Sequence, residues 1–444
     1  MSHIVILGGG ESGVGAALLA QSKGFSVFLS DQGKLKEHYQ DQLRSQAIPF
    51  ESEKHTVSEI LKADEIIISP GIPEKSELVQ TIKKQGIPLV SEIEFAARYT
   101  KAKLIAITGS NGKTTTTLLT YHLLKEAGFN VGLAGNIGQS FAKQVMEDSF
   151  DYYVLEISSF QLDRCFDFKP DVAVLINITP DHLDRYDYKF ENYIHSKFRI
   201  FQNANTQTAC IYWGDDEVIQ QYKELIPAAV AHQRVIHFDK SSGAANITDD
   251  AIQFAFGKIV RATAPIQGPH NAINMAAAVL AATEAGVAWS DIQANLGSFQ
   301  NAPHRLEPCG NWHGIQFIND SKATNVDAVF YALNSFKKKL ILIIGGVDKG
   351  NEYDVLNDLV KSKVKGMICL GTDNAKLMAH FGDRVPKIMS TDSLETAVST
   401  SMQWGESGDI VLLSPACASF DLFKNYEDRG DQFKATVNRL THGS

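Results

Sequence analysis

The chain has 444 residues, a length that suits about three domains of ordinary size. Its 42 basic and 51 acidic residues give a formal net charge of -9, which argues against a general nucleic-acid binder. The composition, 44% hydrophobic and 21% charged, is that of a globular protein, no apolar run approaches the roughly 20 residues of a membrane span, and the five scattered cysteines indicate reduced thiols in a cytoplasmic protein.

The first predicted strand, residues 4–7, leads into a glycine-rich turn. Because this segment lacks a basic region and is soon broken by glycine, it predicts a strand and not a signal peptide. Gly8, Gly10 and Gly13 fit the G-x-G-x-x-G pattern of dinucleotide-binding turns, and Asp31 ends the next predicted strand, where a ribose hydroxyl would be held. The pattern suits a nicotinamide cofactor or another nucleotide, such as a uridine nucleotide. A nicotinamide-dependent dehydrogenase is therefore one hypothesis.

A third predicted strand, residues 66–69, ends in the turn SPGIP at residues 69–73. Such a turn exposes backbone N–H groups at the carboxyl edge of a parallel sheet, where ligands bind, although an ordinary turn is an equally good interpretation. A new sheet begins near residue 104, and another segment begins near residue 303. We therefore divide the chain into predicted domains 1–97, 98–302 and 303–444.

The segment TGSNGKTT at residues 108–115 predicts a phosphate site. A buried strand precedes it and a helix begins at Lys113, so the loop amides and the helix N-terminus would face an anion. The Lys113 ammonium would reach the outer phosphates, and the Thr114 hydroxyl would bind Mg²⁺. The loop is shorter than the general P-loop, because Ile107 stands where that motif has its first glycine. A glycine-rich turn with a solvated lysine is the alternative.

Three further residues of the central segment carry chemistry. Glu156 lies inside an apolar run, so its carboxylate needs a partner, which is either a metal ion or a buried basic side chain. Asp181 and His182 follow the next predicted strand, within reach of a metal or of the phosphates. Lys197 lies in a predicted helix among apolar residues. If it is buried, its pKa is lowered and it reacts as a neutral amine, although a solvated lysine is the default interpretation.

Strands and helices alternate in the last segment, which predicts a doubly wound domain. Its loops at the strand ends place Lys322, Lys349 and Ser419 on one edge, where they could hold an anionic group. Cys417 has no histidine–acid partner pattern, so we interpret it as a packing thiol. The predicted fold is thus α/β with three domains: a Rossmann-like N-terminal domain, a central P-loop-type ATPase domain and a doubly wound C-terminal domain.

Eight segments, in order along the chain, resemble the Mur ligases, which are the ATP-dependent amide ligases of peptidoglycan precursor synthesis. They are TGSNGKTT, GNIG, LEISSFQLD, NITPDHLDR, GPHNAINMAAA, HRLE, NDSKATN and LLSPACASFD. The segment NDSKATN, together with the absence of a DNPR segment, resembles the members that add D-glutamate to UDP-N-acetylmuramoyl-L-alanine through an acyl phosphate. A sister ligase that adds another amino acid is the alternative within the family.

The resemblance implies that the three domains bind the UDP-substrate, ATP with two Mg²⁺ ions, and the amino acid, respectively. The glycine turn near the N-terminus would then hold uridine diphosphate rather than a nicotinamide cofactor. Lys113, Glu156, His182 and Lys197 are the implied catalytic residues, and Lys197 would be carbamylated by CO₂.

The implied binding residues fall into four groups. The implied ATP contacts are Gly109, Ser110, Asn111, Gly112, Lys113, Thr114, Thr115, Asn271, Arg305 and Asp320. The implied metal ligands are Thr114, Glu156, His182 and Lys197. The implied UDP-substrate contacts are Glu11, Ser12, Asp31, Gln32, Ser69 and Asn136, although the pair Gln32-Gly33 stands where relatives often carry a hydroxyl residue and an arginine. The implied D-glutamate contacts are Lys322, Thr324, Lys349, Ser419 and Tyr426, the last replacing a frequent phenylalanine.

We accordingly expect a cytoplasmic monomer that acts on two small-molecule substrates, UDP-N-acetylmuramoyl-L-alanine and D-glutamate, without a nucleic-acid or membrane partner. Two hypotheses of other classes remain open from the sequence. One is the dehydrogenase, and the other is a catalytically silent nucleotide-binding regulator.

Overall fold

A computed structural model describes residues 2–147, 149–240 and 242–442. They fall into two compact units. The first runs up to Pro265 and includes Ile273–Phe299, and the second comprises Ile266–Ala272 with the chain from Gln300 onward. The first unit contains a five-stranded and a nine-stranded sheet, and the second contains a six-stranded sheet. Within the described part of the chain, we find no helix with the length and apolar character needed to cross a membrane.

The five-stranded sheet is entirely parallel and opens the first unit. Its elements are β1 (His3–Leu7), α1 (Glu11–Ser22), β2 (Ser26–Ser30), α2 (Glu37–Ser45), β3 (Phe50–Glu51), α3 (Val57–Ile60), β4 (Glu65–Ile68), α4 (Glu77–Lys84), β5 (Leu89–Val90) and α5 (Glu92–Ala97). The strand order is β3-β2-β1-β4-β5. The order therefore reverses between β1 and β4, and the turns that follow these two strands flank the crevice where such sheets bind ligands.

The nine-stranded sheet carries the central domain. Its elements are β6 (Lys103–Thr108), α6 (Lys113–Glu126), β7 (Val131–Gly135), α7 (Phe141–Glu147), β8 (Tyr152–Glu156), α8 (Ser159–Leu162), β9 (Val172–Leu175), α9 (Phe190–Phe198), β10 (Ala209–Trp213), α10 (Glu217–Gln221), β11 (His232–Phe238), β12 (Ala245–Ile247), β13 (Ala251–Phe254), β14 (Gly257–Val260), α11 (Pro269–Glu284) and α12 (Trp289–Asn295). The order is β14-β13-β12-β11-β10-β9-β6-β8-β7, and only the contacts between β12, β13 and β14 are antiparallel. Strand β6 thus lies between β8 and β9, and the loops after these three parallel strands share one edge.

The six-stranded sheet forms the second unit. Its elements are β15 (Glu307–Trp312), β16 (Ile315–Asn319), α13 (Val326–Asn334), β17 (Leu340–Gly345), α14 (Asn357–Lys363), β18 (Val364–Leu370), α15 (Ala375–Phe381), β19 (Ile388–Thr391), α16 (Leu394–Trp404), β20 (Ile410–Ala416) and α17 (Tyr426–His442). The order is β15-β16-β20-β17-β18-β19, with only β15 antiparallel to its neighbour. The predicted α/β fold with three sheet-centred domains is confirmed, whereas the residue boundaries 97 and 302 stay predictions.

A buried carboxyl group joins the two sheets of the first unit. Glu92, at the start of α5, accepts hydrogen bonds through Oε1 from the Ser140 hydroxyl at 2.5 Å and from the Ala142 amide at 2.8 Å. Its Oε2 has no hydrogen-bond partner within the described residues. Burial raises the pKa of Glu92 to about 7, and the nearby Glu11 adds to the rise. This carboxyl group therefore ionises only near neutral pH.

We predict that Glu92→Gln stabilises the protein above neutral pH. A carboxyl pKa that is higher in the folded than in the unfolded state contributes stability at low pH, and this contribution is lost as the pH rises through about 7. Glutamine keeps the acceptor oxygen and cannot ionise. Thermal unfolding of the wild type and of Glu92→Gln between about pH 5 and about pH 8.5 should give a flatter profile for the variant and a higher Tm at the alkaline end, by roughly 2 °C or more.

Glu94, on the same helix, is the matched control. Its carboxylate accepts from the amides of Phe166, Asp167 and Phe168 at 2.9–3.1 Å, so neutralising it removes charge-assisted bonds. We expect Glu94→Gln to destabilise the protein by about 1–3 kcal/mol. If Glu92→Gln were equally destabilising at alkaline pH, the assignment of Glu92 as a protonated group would be wrong.

Candidate functional site

The predicted phosphate loop lies between β6 and α6 and is shaped by a glycine. Gly112, which precedes the first turn of α6, has a φ of 84°, in the left-handed region that favours glycine. A Cβ at this position would come within 2.2 Å of the Asn274 amide oxygen. The loop conformation therefore requires glycine at this point, and the amides of α6 open directly onto the loop.

Asn177, just beyond β9, holds the loop from the neighbouring strand. Its side chain accepts from the Asn111 amide at 2.9 Å and donates to the Asn111 carbonyl at 3.1 Å. Its own carbonyl accepts from the Ser110 amide at 3.0 Å. This role of Asn177 was not predicted from the sequence, although an asparagine in NITPDHLDR just after a strand is a signal that could have indicated it.

Ser110 and Lys113 are both engaged with the loop itself. The Ser110 hydroxyl donates to the Thr179 carbonyl at 2.9 Å and lies 3.0 Å from the Tyr193 hydroxyl. It therefore connects this loop to the loop that follows β9. The Lys113 ammonium curls over the loop and donates to the carbonyls of Gly109 and Ser110 at 2.7 and 2.8 Å. The positive charge of Lys113 thus lies directly above the loop backbone.

Three of the predicted residues meet at the Glu156 carboxylate, at the end of β8. Glu156 is 2% exposed, and its Oε2 accepts from the Thr114 hydroxyl at 2.7 Å. Its Oε1 accepts from the side-chain amide of Asn136 at 2.8 Å. The structure therefore brings two predicted metal ligands together beside the phosphate loop, and it joins them to a predicted contact of the UDP-substrate.

Lys197, on α9, is buried beneath the same site. It is 1% exposed, its Nζ donates to the Thr108 hydroxyl at 3.1 Å, and this nitrogen lies 5.3 Å from the centre of the Tyr193 ring. Burial lowers its pKa well below the usual range, and the positive charge of Lys113 lowers it further, against the opposing charges of Asp181 and Glu156. The default interpretation of a solvated helix lysine is wrong, and the neutral amine is favoured.

His182 begins a short 3-10 turn, Leu183–Tyr186, and its backbone is in the left-handed region with a φ of 52°. Its ring lies 5.1 Å from the Phe160 ring, and its Nε2 is 3.6 Å from a carboxylate oxygen of Asp181. Partial burial lowers the pKa of His182, against the opposing charge of Asp181, and the charge of Lys113 lowers it further. The neutral imidazole, which is the form that binds metals, is therefore favoured.

The residues around Glu156 fit a magnesium ion that is completed by phosphate oxygens. Within the described residues there is no group of three or more His, Cys, Asp or Glu side chains that could hold a metal by itself. The Thr114 hydroxyl and the Glu156 carboxylate are hard oxygen donors on the edge of the predicted phosphate loop. Mg²⁺ commonly takes one or two protein oxygens and fills its remaining positions with water and substrate phosphate.

The two turns of the N-terminal crevice are in close contact. A Cβ at Gly8 would lie 2.4 Å from the Ser69 hydroxyl, which donates to the Gly8 carbonyl at 3.4 Å. The Asp31 carboxylate accepts from the amides of Gly9 and Gly33 at 2.5 and 2.6 Å, so it holds two turns together. The side chain of Ser69, a predicted contact of the UDP-substrate, therefore lies against the glycine turn that follows β1.

The other three predicted uridine contacts differ in their surroundings. Glu11 accepts from the Tyr39 hydroxyl at 3.1 Å and from the Ser140 amide at 3.3 Å, so its carboxylate already links α1 to the central domain. Ser12 is partly buried and Gln32 is exposed. The assignment of these residues to the uridine end stays a prediction.

Three predicted ATP contacts belong to the second unit. Asp320, at the end of β16, accepts from the Ser414 hydroxyl at 2.9 Å and from the Leu306 amide at 3.1 Å. Burial raises its pKa to about 7, against the charge of Arg305. Burial also lowers the pKa of His270 to about 4, together with the same Arg305 charge. Asn271, beside His270, donates to the Gln267 carbonyl at 2.8 Å. The positive charge of Arg305 therefore affects the pKa values of both Asp320 and His270.

The predicted amino-acid contacts lie on loops that share one edge of the six-stranded sheet, because β16, β20 and β17 are adjacent and parallel. The Lys322 ammonium lies 3.7 Å from the centre of the Tyr426 ring. The Val347 amide donates to the Ala418 carbonyl at 2.8 Å, which joins the loop that carries Lys349 to the loop that carries Ser419. Thr324 and Lys349 are exposed, and Ser419 is buried.

Two buried side chains support these loops. Arg429, on α17, donates to the hydroxyl and carbonyl of Ser321, both at 2.9 Å, and to the Cys417 carbonyl at 3.2 Å. Burial lowers its pKa to about 10. Sequence reasoning missed Arg429, since nothing in the sequence of a polar helix marks one arginine as buried. Cys417 is 1% exposed, and burial raises its thiol pKa, in agreement with a packing role.

Three sequence-family models match successive parts of the chain. They are described as Mur ligase MurD-like N-terminal domain, at residues 2–91, Mur ligase middle domain, at residues 107–282, and Mur ligase glutamate ligase domain, at residues 304–417. Together they cover the regions of all three sheets.

Curated relatives match over nearly the full length. The UDP-N-acetylmuramoylalanine--D-glutamate ligase of Cytophaga hutchinsonii is 50% identical, over 98% of this chain and 99% of that protein. The protein of the same name from Bacteroides fragilis is 49% identical, over 99% of this chain and 100% of its own length.

Solved structures share the fold at low sequence identity. A pseudomurein peptide ligase type C from Methanothermus fervidus aligns with a TM-score of 0.63 and 19% identity, over 99% of this chain and all of that one. The MurF ligase from Thermotoga maritima in complex with ADP aligns with a TM-score of 0.62 and 17% identity, over 94% of this chain and 97% of that one. At these identities the likeness shows the fold alone.

Proposed function

This chain belongs to the Mur ligase family, a family of ATP-dependent ligases, and from that premise we propose that it joins D-glutamate to UDP-N-acetylmuramoyl-L-alanine, releasing ADP and phosphate. The observation that carries the proposal is the match of about half of all residues, along nearly the whole chain, to relatives named for that reaction. Membership in this family contradicts the dehydrogenase hypothesis and leaves no support for a catalytically silent regulator.

The reaction must turn a carboxylate into an electrophile. In the proposed sequence, an oxygen of the alanine carboxylate attacks the γ-phosphorus of ATP, ADP leaves, and an acyl phosphate forms. The amine of D-glutamate then attacks the acyl carbon, loses a proton, and displaces inorganic phosphate, which leaves the new amide. Two anions must approach each other in the first step, so positive charge at the phosphate loop is essential.

The phosphate loop and Lys113 supply that charge. The amides of the loop and of α6 would bind the phosphate chain. The Lys113 ammonium lies over the carbonyls of Gly109 and Ser110. With ATP bound, it would turn toward the outer phosphates and neutralise the negative charge that shifts between phosphate oxygens during transfer. Asn177 and Ser110 would keep the loop in its phosphate-binding shape.

Thr114 and Glu156 would hold one Mg²⁺, and His182 with Lys197 would hold a second. Bound there, the metal would supply charge that screens the repulsion between ATP and the carboxylate. A neutral amine is the form that reacts with CO₂, so the low pKa of the buried Lys197 supports its conversion to a carbamate, an oxygen ligand where an ammonium would repel a metal.

Residues of the second unit would bind D-glutamate and would add contacts to ATP. D-Glutamate carries two carboxylates, and Lys322 and Lys349, with the hydroxyls of Thr324 and Ser419, are chemically suited to receive them. Tyr426 would act by orienting the Lys322 ammonium, which lies over its ring. Asn271, Arg305 and Asp320 remain the proposed contacts of ATP in the second unit.

The N-terminal crevice would bind the UDP-substrate. The Gly8 turn offers amides to the diphosphate, and Ser69 and Asn136 would contact the sugar. Both substrates are small molecules, and we place the reaction in the cytoplasm and expect a monomeric enzyme.

The experiment that tests the proposal is phosphate release from ATP with UDP-N-acetylmuramoyl-L-alanine and a panel of amino acids, assayed one at a time. Release that requires D-glutamate supports the proposed reaction. Release with L-glutamate or another amino acid assigns the chain to a sister ligase and discredits the interpretation of Lys322 and Lys349. No release with any amino acid would overturn the proposed function.

A further inference from the structure

Arg185 connects the SPGIP turn of the N-terminal domain to the turn that carries His182. It lies in the 3-10 turn Leu183–Tyr186, three residues after His182. Its Nη2 donates to the carbonyls of Pro70 and Ile72 at 3.1 and 3.3 Å. These two carbonyls belong to the turn that begins with Ser69, so one guanidinium group spans both halves of the first unit.

The other side of the guanidinium lies against an aromatic ring. The Arg185 guanidinium carbon is 4.4 Å from the centre of the Phe160 ring, close enough for a cation–π contact. The same ring contacts His182, at 5.1 Å, and lies nearly parallel to Tyr186, at 5.9 Å and 14°. Arg185 therefore fixes Phe160, and Phe160 packs directly against the imidazole of His182.

The backbone of this turn needs such support. His182, Asp187 and Tyr188 all have positive φ angles, between 52° and 58°, although none of them is glycine. Non-glycine residues in this region are held there by their surroundings, at a cost of about 1 kcal/mol or more each. Without contacts from outside the turn, its backbone would relax and release this strain, and His182 would move with it.

A neighbouring ion pair joins the same two segments but cannot carry the same role. Lys75 and Asp187 lie 2.5 Å apart, yet their side chains are 62% and 56% exposed. Exposed pairs of this kind contribute little, because water and salt screen them. The planar guanidinium of Arg185, partly buried and bound on one edge and one face, fixes a geometry that an exposed ammonium does not.

We propose that Arg185 is a positioning residue, which couples occupancy of the sugar-binding turn at residues 69–73 to the position of His182. Binding of the UDP-substrate to Ser69 orders the carbonyls of Pro70 and Ile72, and Arg185 transmits this order to Phe160 and His182. The inference rests on the proposed function, since it assumes that Ser69 contacts the substrate sugar. It makes the catalytic turn sensitive to the substrate and not to ATP.

The test compares Arg185→Met and Arg185→Lys with the control Lys75→Met in the phosphate-release assay. For Arg185→Met we expect the KM for UDP-N-acetylmuramoyl-L-alanine to rise and kcat to fall, each about tenfold, while the KM for ATP changes less than about twofold. Arg185→Lys should behave in the same way, because lysine keeps the charge and loses the fork. Lys75→Met should match the wild type.

A second readout separates positioning from a merely structural role. Added guanidinium ion, at about 10–50 mM, should restore part of the lost kcat of an Arg185→Ala variant, whose short side chain leaves room for the ion, and leave Lys75→Met and the wild type unchanged, since it can replace the missing bonds. The proposal would be overturned by a lower Tm together with equal rises in the KM values for the UDP-substrate and ATP and no rescue by guanidinium ion. So would an Arg185→Lys enzyme with wild-type constants. A wild type that turns over only with an amino acid other than D-glutamate would overturn the proposed function alone, and the Arg185 comparison would then be made with that amino acid.

Discussion

Lys113→Ala should lower kcat by about three orders of magnitude, equivalent to about 4 kcal/mol of transition-state stabilisation. The reason is the position of the ammonium, which lies over the loop carbonyls of Gly109 and Ser110 and close enough for its charge to influence His182 and Lys197. In the proposed reaction two anions meet at this loop, and no other ammonium projects from the first turn of α6. The measurement is the rate of D-glutamate-dependent phosphate release at saturating substrates.

Lys125→Ala is the matched control, because Lys125 lies on the last turn of the same helix and is exposed. It should retain wild-type kcat. ADP binding, measured by calorimetry, should weaken for Lys113→Ala and not for Lys125→Ala. A Lys113→Ala enzyme that folds normally and keeps near wild-type turnover would contradict the role of this residue in phosphoryl transfer.

The position and shape of the glycine loop before α6 could be predicted from the sequence because its constraints are local. Gly112 needs a positive φ, and α6 must start directly after it, so both signals lie within a few neighbouring residues. The fold class could be predicted in the same way, since alternating strands and helices indicate parallel sheets covered by helices. The apolar neighbours of Lys197 on α9 indicated that this lysine could be partly buried.

The supporting residues could not be predicted, because their partners are distant in the sequence. Asn177 holds a loop 66 residues away, Arg185 binds carbonyls 113 and 115 residues away, and Arg429 binds a serine 108 residues away. Each is an ordinary polar residue whose role comes only from which turn the fold places beside it. A single sequence carries no pattern that reports such pairs.

Glu11 and Asp31 show the opposite difficulty. A carboxylate at the start of a helix or at the end of a strand is typical of a ligand contact. In the structure both carboxylates accept hydrogen bonds from the protein itself, Asp31 from the amides of two turns and Glu11 from Tyr39 and Ser140. The same chemical property, acceptance of hydrogen bonds, serves the architecture of the crevice, and sequence alone does not separate the two uses.

Glu156→Gln should lower kcat by about two orders of magnitude and raise the Mg²⁺ concentration for half-maximal activity about tenfold or more. Glutamine preserves the shape of the side chain and one acceptor oxygen for Thr114 or Asn136, but it removes the negative charge. A neutral amide is a poorer ligand for a hard cation than a carboxylate is. Phosphate release across a magnesium titration measures both effects.

The control is Glu92→Gln, which replaces another buried carboxyl of the first unit and should leave the magnesium dependence unchanged. Calorimetry supplies a readout that does not depend on turnover: ADP should bind Glu156→Gln as it binds the wild type without Mg²⁺, and the added affinity that Mg²⁺ gives the wild type should be reduced in the variant. If Mg²⁺ strengthened ADP binding equally in both, Glu156 would not hold the metal. Its contacts with Thr114 and Asn136 would then be the whole of its role, and the metal would have to be sought near His182 and Lys197.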